Sequence, residues 1–555
     1  MATELGKKVI YQIYPKSFYD SNNDGFGDLR GIIEKIPYIA KLNVDMIWFN
    51  PFFVSPQNDN GYDIADYRQI DPRFGTMEDF EELVAKLKEI GIDVMLDMVL
   101  NHCSTEHEWF KKALAGDEKY QKYFYLRPKK ADGSLPTNWS SKFGGPAWAR
   151  FGDTDLYYLH LFDKTQADLD WHNPDVRKEA AEIVEFWRNK GVKGFRFDVL
   201  NVIGKDTELV DSTDPIQEKS LYTDTEVVHQ YIKELNHNSF GKDDTIITVG
   251  EMSSTNFASS IRYSNPKEDE LSMVFTFHHL KVDYENGEKW TKMPFDFMAL
   301  KKCLTDWQVE MDKGGGWNAL FWNNHDQPFA LDRFGDPKKY RVRSAQMLAT
   351  TIHLLRGTPY IYMGEELGMI DPTYTDINEY VDVEALNAYQ ELIQKGMSKA
   401  QAFKIVNTKA RDNSRTPMHW DAGPYAGFST TKPWLRPTGQ EEINVKAELK
   451  SRNIFDFYQK LIKLRKQERL ISDGHFKVRF FDHKQVFAYE RYLDDNSEKL
   501  LVFNNFSDQK AKLELSKQDL IEGAVLVSNM DRNLEKLPET LELAPYETLA
   551  FKLSK

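Results

Sequence analysis

Eight short apolar runs recur through most of the chain, with stretches of helical periodicity between them. They read "VIYQIYP", "VDMIWFNP", "DVMLDMVL", "VKGFRFDVL", "TIITVG", "LSMVFTF", "ALFWNN" and "TPYIYMG". Near-continuous apolar runs of this length suit strands buried on both faces. Between the first two runs, Leu29, Ile32, Ile33, Ile36, Ile39 and Ala40 recur at helical spacing, and Pro37 marks a kink or a second segment. Thr76 and Asp79 match a capping box ahead of Phe80, Leu83, Val84 and Leu87, and Gly91 stops that helix. In "NPDVRKEAAEIVEFWRNKG", Asn173 is placed to cap, Pro174 takes the first helical position and Gly191 ends the helix. Eight strands alternating with helices predict an α/β fold, a (β/α)8 TIM barrel.

Two stretches break the alternation. From about His102 to Trp171 the chain is rich in Gly, Pro, Trp and polar residues. It is too long for a plain loop, so an inserted subdomain is expected over residues 103–171, after strand three. From about residue 480, "FKVRFF", "VFAYERYL", "KLLVFNNF" and "ETLAFKL" read as short alternating strands, predicting a C-terminal antiparallel β-sandwich over 481–555. The barrel takes residues 1–102 and 172–480. A chain of 555 residues exceeds what one compact core holds, which fits this division.

Charge and cysteine usage narrow the partners. A formal net charge of −14 repels a polyanion, so no nucleic-acid partner is expected. The two cysteines, Cys103 and Cys303, form no disulfide framework and fit a reducing compartment. The opening "MATELGKKVIYQIYPKSF" has no apolar signal core, and no stretch approaches a membrane span. The expectation is a cytoplasmic protein with a small-molecule partner and no membrane partner. A monomer is compatible with the sequence, which leaves the oligomeric state open.

A TIM barrel builds its site at the C-terminal ends of its strands. Strand three leads to Asp97, Asn101 and His102, strand four carries Arg196 and Asp198, strand five ends in Glu251, and His325 and Asp326 follow strand seven. Arg196 and Asp198 lie two apart and share a face, so Arg196 is expected to keep Asp198 ionised. Three carboxylates at three strand ends suit glycoside hydrolysis, which needs a nucleophile and a proton donor. Singly, each reads as a structural charge at a barrel mouth.

The loop "DSNNDGFGD" after strand one sets Asp20, Asn22, Asp24 and Asp28 at alternating positions. Oxygen ligands so spaced around a glycine suit a hard cation such as Ca²⁺, or form a polar turn without one. An EF-hand is excluded, since its twelfth position would be Gly31 instead of glutamate.

The segments "DMVLNH", "GFRFDV", "GEMS" and "NNHD" resemble, in order, the four short conserved regions of the α-amylase superfamily of glycoside hydrolases (family 13). The resemblance extends to the insertion after strand three and the terminal β domain. It implies Asp198 as nucleophile, Glu251 as acid/base and Asp326 as the carboxylate stabilising the transition state, in a retaining double displacement. His102, Arg196 and His325 fall in the same regions and would contact substrate. The acidic loop resembles the Ca²⁺ loop of the oligo-1,6-glucosidase branch, implying a structural metal on Asp20, Asn22, Asp24, the Phe26 carbonyl and Asp28, with no organic cofactor. "DNGYD" places Asp59 and Tyr62 at the non-reducing glucose, and Arg411 in "RDNSRTPMHW" would pair with Asp59 and close the pocket of an exo-acting enzyme. At "QADLD" the chain departs from the branch's "QPDLN", with Ala167 and Asp170 substituted.

Within the branch, "VGEMSST" and "FHHLKVDYENGEKWT" resemble the trehalose-6-phosphate hydrolases. This implies cleavage of α,α-trehalose 6-phosphate to glucose and glucose 6-phosphate, with the phosphorylated disaccharide as the small-molecule partner. A phosphate needs local cations, and Lys281, Lys289 and Lys292 are the candidates, with His278 and His279 as further donors. Charge counting alone reads the same segment as a solvated loop, because Asp283, Glu285 and Glu288 offset the lysines. The alternative is an oligo-1,6-glucosidase or dextran glucosidase on neutral isomalto-oligosaccharides. A non-catalytic sugar-binding or transporter-associated protein on the same barrel ranks last, because all three carboxylates are present.

Overall fold

The structure is a computed structural model describing residues 2–495 and 498–553, so Met1 of the expected barrel and Asn496, Ser497, Ser554 and Lys555 of the expected C-terminal domain lie outside the described residues. The eight apolar runs form β1 (Ile10–Ile13), β2 (Met46–Phe49), β3 (Asp93–Met98), β4 (Gly194–Phe197), β5 (Ile247–Glu251), β6 (Met273–Phe275), β7 (Ala319–Leu320) and β8 (Thr358–Tyr362). They pair in the order β6-β5-β4-β3-β2-β1-β8-β7. A parallel bridge between Val274 and Asn318 brings the two ends together. The predicted TIM barrel is thus present. Its interior is filled: the rings of Trp48 and Phe275 lie 5.6 Å apart, and Phe275 and Tyr360 4.5 Å. Side chains inside and helices outside explain why these strands read as continuous apolar runs.

Local signals hold where backbone chemistry dictates them. Pro37 sits at the start of a second helix, Ile36–Leu42, separate from Leu29–Glu34. Thr76 and Asp79 exchange both bonds of a capping box, and Asn173 accepts from the Asp175 amide at the start of the helix Pro174–Asn189. Two placements differ. Asp198 follows β4 instead of lying within it. The third strand stops at Met98, and His102 opens a separate short strand, His102–Ser104, antiparallel to Gln166–Asp168. The segment between those two strands carries a three-stranded antiparallel sheet, with Leu156–Leu159 between Leu126–Pro128 and Trp148–Arg150.

The C-terminal sheet begins at β9 (His475–Arg479) and continues through β10 (Val486–Tyr492), β11 (Lys499–Asn505), β12 (Gly523–Ser528) and β13 (Thr548–Leu553). The antiparallel order is β9-β10-β11-β13-β12. Period two divides its two faces. Val486, Ala488, Leu501 and Phe503 enter the core of this domain, while Phe487, Tyr489, Leu500 and Val502 join the core shared with the barrel. Among the described residues no helix is long and apolar enough to cross a membrane.

Lys301 pins the two units together. From the barrel helix Phe297–Gly314 its buried Nζ donates to the carbonyls of Phe480, His483 and Val486 at 2.6, 3.0 and 2.8 Å. An unpaired buried acceptor costs about 1–3 kcal/mol. Lys301→Met should therefore lower Tm by several degrees in a thermal melt. A Tm within a degree of the parent would show that the carbonyls find other donors.

Candidate active site

The register of the barrel assembles the charged centre. Arg196 of β4 stands opposite Asp97 of β3. Arg196 Nη1 donates to Asp97 Oδ1 and to Asp198 Oδ1, both at 2.7 Å, and its Nη2 donates to Glu251 Oε2. The guanidinium also lies 5.1 Å over the Trp48 ring. One buried cation therefore serves three buried carboxylates. Val199, directly after Asp198, adopts a left-handed φ of 37° and donates its amide to the same Glu251 oxygen at 3.3 Å. With Oε2 taken by two donors, a proton on Glu251 sits on Oε1.

Burial outweighs Arg196 at the neighbouring acids. Asp198 is pushed up to about 6 by desolvation, although Arg196 pulls it down and a hydrogen bond from protonated Glu251 does the same. The expectation that Arg196 alone keeps Asp198 ionised is corrected to this extent, yet at neutral pH the carboxylate form still prevails. Glu251 is raised well above the usual range, first by burial and then by the charges of Asp198 and Asp326 against the pull of Arg196. The site thus holds one carboxylate and one carboxylic acid side by side. Asp326 behaves oppositely. Burial raises it, but nearby positive groups win and hold it below the usual carboxylate range. Arg415 Nη2 lies 3.0 Å and Arg411 Nη1 3.5 Å from its Oδ1. His325 is itself held neutral by burial, so the arginines supply that charge at neutral pH.

His325 is fixed by its neighbours. Gln12 Nε2 lies 3.0 Å from its Nδ1, while Tyr62 Oη lies 2.6 Å from its Nε2. Gln12 acts as donor, which assigns the proton to Nε2. Tyr62 Oη donates onward to Asp97 Oδ2 at 2.8 Å. His102 Nε2 lies 3.2 Å from the Tyr62 carbonyl. Arg411 Nη2 donates to Asp59 Oδ1 at 2.9 Å. The sequence reading did not reveal Asp382 and Glu384, which also bind Arg411. Asp382 additionally caps the helix Val383–Gln394, and an Asp ahead of a helical run is the signal that was available.

Asp59, Tyr62, His102, Asp198, Glu251, Asp326 and Arg411 line a cavity of about 270 Å³, together with Lys142, Phe143, Phe162, Phe277, Tyr284, Lys281 and Lys289, whereas Arg196 and His325, expected to contact substrate, are not among its lining residues. A second cavity of about 710 Å³ shares Lys142, Phe143 and Glu384 with it. The expected phosphate ligands separate here. Lys281 faces the cavity and has no carboxylate partner among the described residues, whereas Lys289 is paired with Glu384 at 2.7 Å. Lys292 is not among the lining residues and stands beside Lys404. His279 turns into the core onto the Phe321 carbonyl, and His278 packs on Trp307. Lys142 was not singled out, because nothing in "SKFGGPAW" marks it from sequence alone. Cys103 and Cys303 are free thiols, both raised by burial, so neither is an activated nucleophile.

The loop 20–28 is wound by its own side chains. Asp20 accepts from the amides of Asn22, Asn23 and Gly25, Asp24 from Phe26, and Asp28 from Ser21 and Gly31. Asp28 thereby caps the helix Leu29–Glu34. The donors available are all oxygens, the chemistry that a hard cation takes. Among the described residues no group of three or more His, Cys, Asp and Glu is gathered as a metal site.

A match to the α-amylase catalytic domain covers residues 12–474, and one to the α-amylase SusG C-terminal domain covers 486–549. The chain belongs to the α-amylase family. It is a glycosidase of that family. It is 49% identical to the trehalose-6-phosphate hydrolase of Bacillus subtilis (strain 168), over 99% of this chain and 98% of that protein. It is 43% identical to the oligo-1,6-glucosidase of Parageobacillus thermoglucosidasius, over 98% of each. The crystal structure of Bacillus licheniformis trehalose-6-phosphate hydrolase superposes with a TM-score of 0.94 at 48% identity, covering 99% of this chain and 100% of that one.

Asp382 gives this glycosidase a test of its pocket wall. Asp382→Ala removes a helix cap, worth about 0.5–2 kcal/mol, and frees Arg411 from its closest carboxylate. Expected are a lower Tm and a raised KM for an aryl α-glucoside. A lower Tm with unchanged KM would make Asp382 a cap and nothing more.

Proposed function

We propose that this enzyme hydrolyses α,α-trehalose 6-phosphate to glucose and glucose 6-phosphate with retention of configuration. The observation that carries the substrate is Lys281, an ammonium without a carboxylate partner facing the same cavity as the three acids. The identity to trehalose-6-phosphate hydrolases, slightly above that to oligo-1,6-glucosidases, supports the same choice. Asp198 attacks C1 of the non-reducing glucosyl unit, forming the glycosyl–enzyme bond. The proton on Glu251 goes to the glycosidic oxygen as the C–O bond breaks. Glu251, now ionised, takes a proton from the water that hydrolyses the intermediate. Asp326, kept charged by Arg411 and Arg415, holds the sugar ring, and the Asp59–Arg411 pair with Tyr62 closes the pocket behind it. That closure supports exo action on a single terminal glucose.

The deciding measurement is the efficiency on trehalose 6-phosphate relative to trehalose and isomaltose. A clear preference for the phosphate is expected, and a preference for isomaltose would favour the oligo-1,6-glucosidase reading that the 43% relative keeps open. Asp198→Asn and Glu251→Gln should each lose several orders of magnitude in kcat. Near-normal turnover in either would remove its role. Because burial lifts Asp198 to about 6, kcat/KM should fall as pH drops through 6, when the nucleophile takes up a proton. A profile flat to pH 4.5 would contradict this.

The same reading assigns loop 20–28 a structural Ca²⁺, held by Asp20, Asn22, Asp24, Asp28 and the Phe26 carbonyl, which would add rigidity and no chemistry. Binding to the folded state alone raises Tm. Chelator should therefore lower the parent's Tm but not that of Asp24→Ala. An unchanged parent with no metal by elemental analysis would end the assignment.

A further inference from the structure

Two ammoniums from separate parts of the chain, Lys142 and Lys281, line the catalytic cavity, and a third, on the exposed Lys219, acts on both. Lys142 comes from the inserted segment, Lys219 from the helix Pro215–Ser220, and Lys281 from the turn after β6. Each of Lys219 and Lys281 is close enough to depress the ionisation of Lys142, and Lys219 that of Lys281. None of the three has a carboxylate at ion-pair distance among the described residues, although lysines nearby do: Lys130 pairs with Asp211 at 2.5 Å and Lys289 with Glu384 at 2.7 Å. The Lys142 Nζ donates to Ser253 Oγ at 3.0 Å, two residues beyond Glu251, and lies 5.6 and 5.7 Å from the rings of Phe162 and Tyr222. In a chain of net charge −14, three mutually repelling cations left without acids form a site that an anion completes.

We infer that Lys142, with Lys281 and Lys219, is an anion clamp through which the substrate's phosphoryl group ties the inserted segment to the barrel and sets specificity. This rests on the proposed function for the identity of the anion carrier, not for the clamp itself. The next residue, Phe143, shows what the clamp controls. Its ring lies 4.9 Å from the Arg411 guanidinium, and its carbonyl accepts from Asn387 Nδ2 at 2.9 Å. Anion held by Lys142 therefore holds the roof over the terminal-glucose pocket. Charged and titratable groups facing Lys142 are Lys219, Lys281, Glu251 and Asp168, with Tyr222 against it and Glu384 on the same cavity wall. Desolvation, followed by the two lysines, lowers Lys142 to about 8. A phosphate monoester is a dianion above about pH 6, so recognition should be strongest between roughly pH 6 and 8 and weaken as Lys142 loses its proton.

The test uses the full-length enzyme, inorganic phosphate as probe, and Lys142→Met, Lys142→Arg and Lys281→Met. Phosphate, compared with chloride at equal ionic strength, should raise the parent's Tm, and both methionine variants should lose most of that shift. Lys142→Met should lower the efficiency ratio of trehalose 6-phosphate over trehalose about ten- to a hundredfold. Lys142→Arg should retain the ratio and extend it above pH 8, since arginine stays charged, an effect that a merely structural lysine would not produce. Equal phosphate shifts in the parent and Lys142→Met overturn the clamp, whatever the substrate. A parent without preference for the phosphorylated sugar overturns the proposed function, while a phosphate shift that depends on Lys142 would still support the clamp. If Lys142→Met melts well below the parent without phosphate, Lys281→Met decides by the same two readouts.

Discussion

Arg196 is the interaction on which the rest of the site depends. A buried guanidinium left without partners, or three buried carboxylates left without a cation, would each cost several kcal/mol. Together, with bonds to Asp97, Asp198 and Glu251, they are tolerated at the barrel centre. The barrel makes this possible. Parallel register sets Arg196 level with Asp97 on the next strand, and the aromatic filling beneath denies water access to the charge. The arrangement does not neutralise all three acids equally. Arg196 shares its charge among them, so burial still lifts Asp198 and Glu251, whereas Asp326, nearer to Arg411 and Arg415, stays ionised. Different environments leave Glu251 protonated beside the ionised Asp198 and Asp326, which is what acid–base division of labour needs.

The arginines that hold Asp326 are in turn braced by the loop after β1. Ser17 Oγ donates to the Arg415 carbonyl at 2.6 Å and accepts from Trp434 Nε1 at 2.9 Å. Further along, the Asp20 amide donates to Phe428, and Trp434 donates to the Gly25 carbonyl. Gly25 is required there: its φ is +92°, and a Cβ would meet the Lys432 carbonyl at 2.6 Å. The acidic loop therefore grips segment 428–434, which continues from the arginine-bearing turn. The acidic loop thus supports the segment leading from the turn that carries Arg415.

Legibility from sequence follows the range of the interaction. Signals set within one turn survive intact: the Thr76 box, the Asn173 cap and the break at Pro37. The eight strands were readable because burial on both faces forces continuous apolar runs. The balance at Asp198 was not, since opposite charge two residues away is visible in the chain while depth of burial is a property of the fold. The lysines show the same divide. Lys281, Lys289 and Lys292 lie in one short stretch, yet only a distant partner, Glu384, distinguishes Lys289 from Lys281, and the chain carries Lys292 away from the cavity. Lys142 and Asp382 reach the site from remote segments, so no spacing rule points to them.

On the proposed reading, charge also explains how an acidic protein would orient a phosphorylated disaccharide. Surface charge is screened beyond a Debye length of about 8 Å at physiological salt, so a nearby lysine cluster outweighs a distant net −14. The cavity wall carries both the acids Asp198, Glu251 and Asp326 and the ammoniums of Lys142 and Lys281. In α,α-trehalose the two glucosyl units are joined alike, and nothing in the linkage says which should become the leaving group. A phosphate breaks that symmetry. On the proposed reading it is repelled by the acids and drawn to the lysines, so only the unphosphorylated unit can enter the closed pocket beside Asp198. On that reading, burial and the arginines set the protonation states of the catalytic acids, while the lysines select which sugar leaves carrying the phosphate.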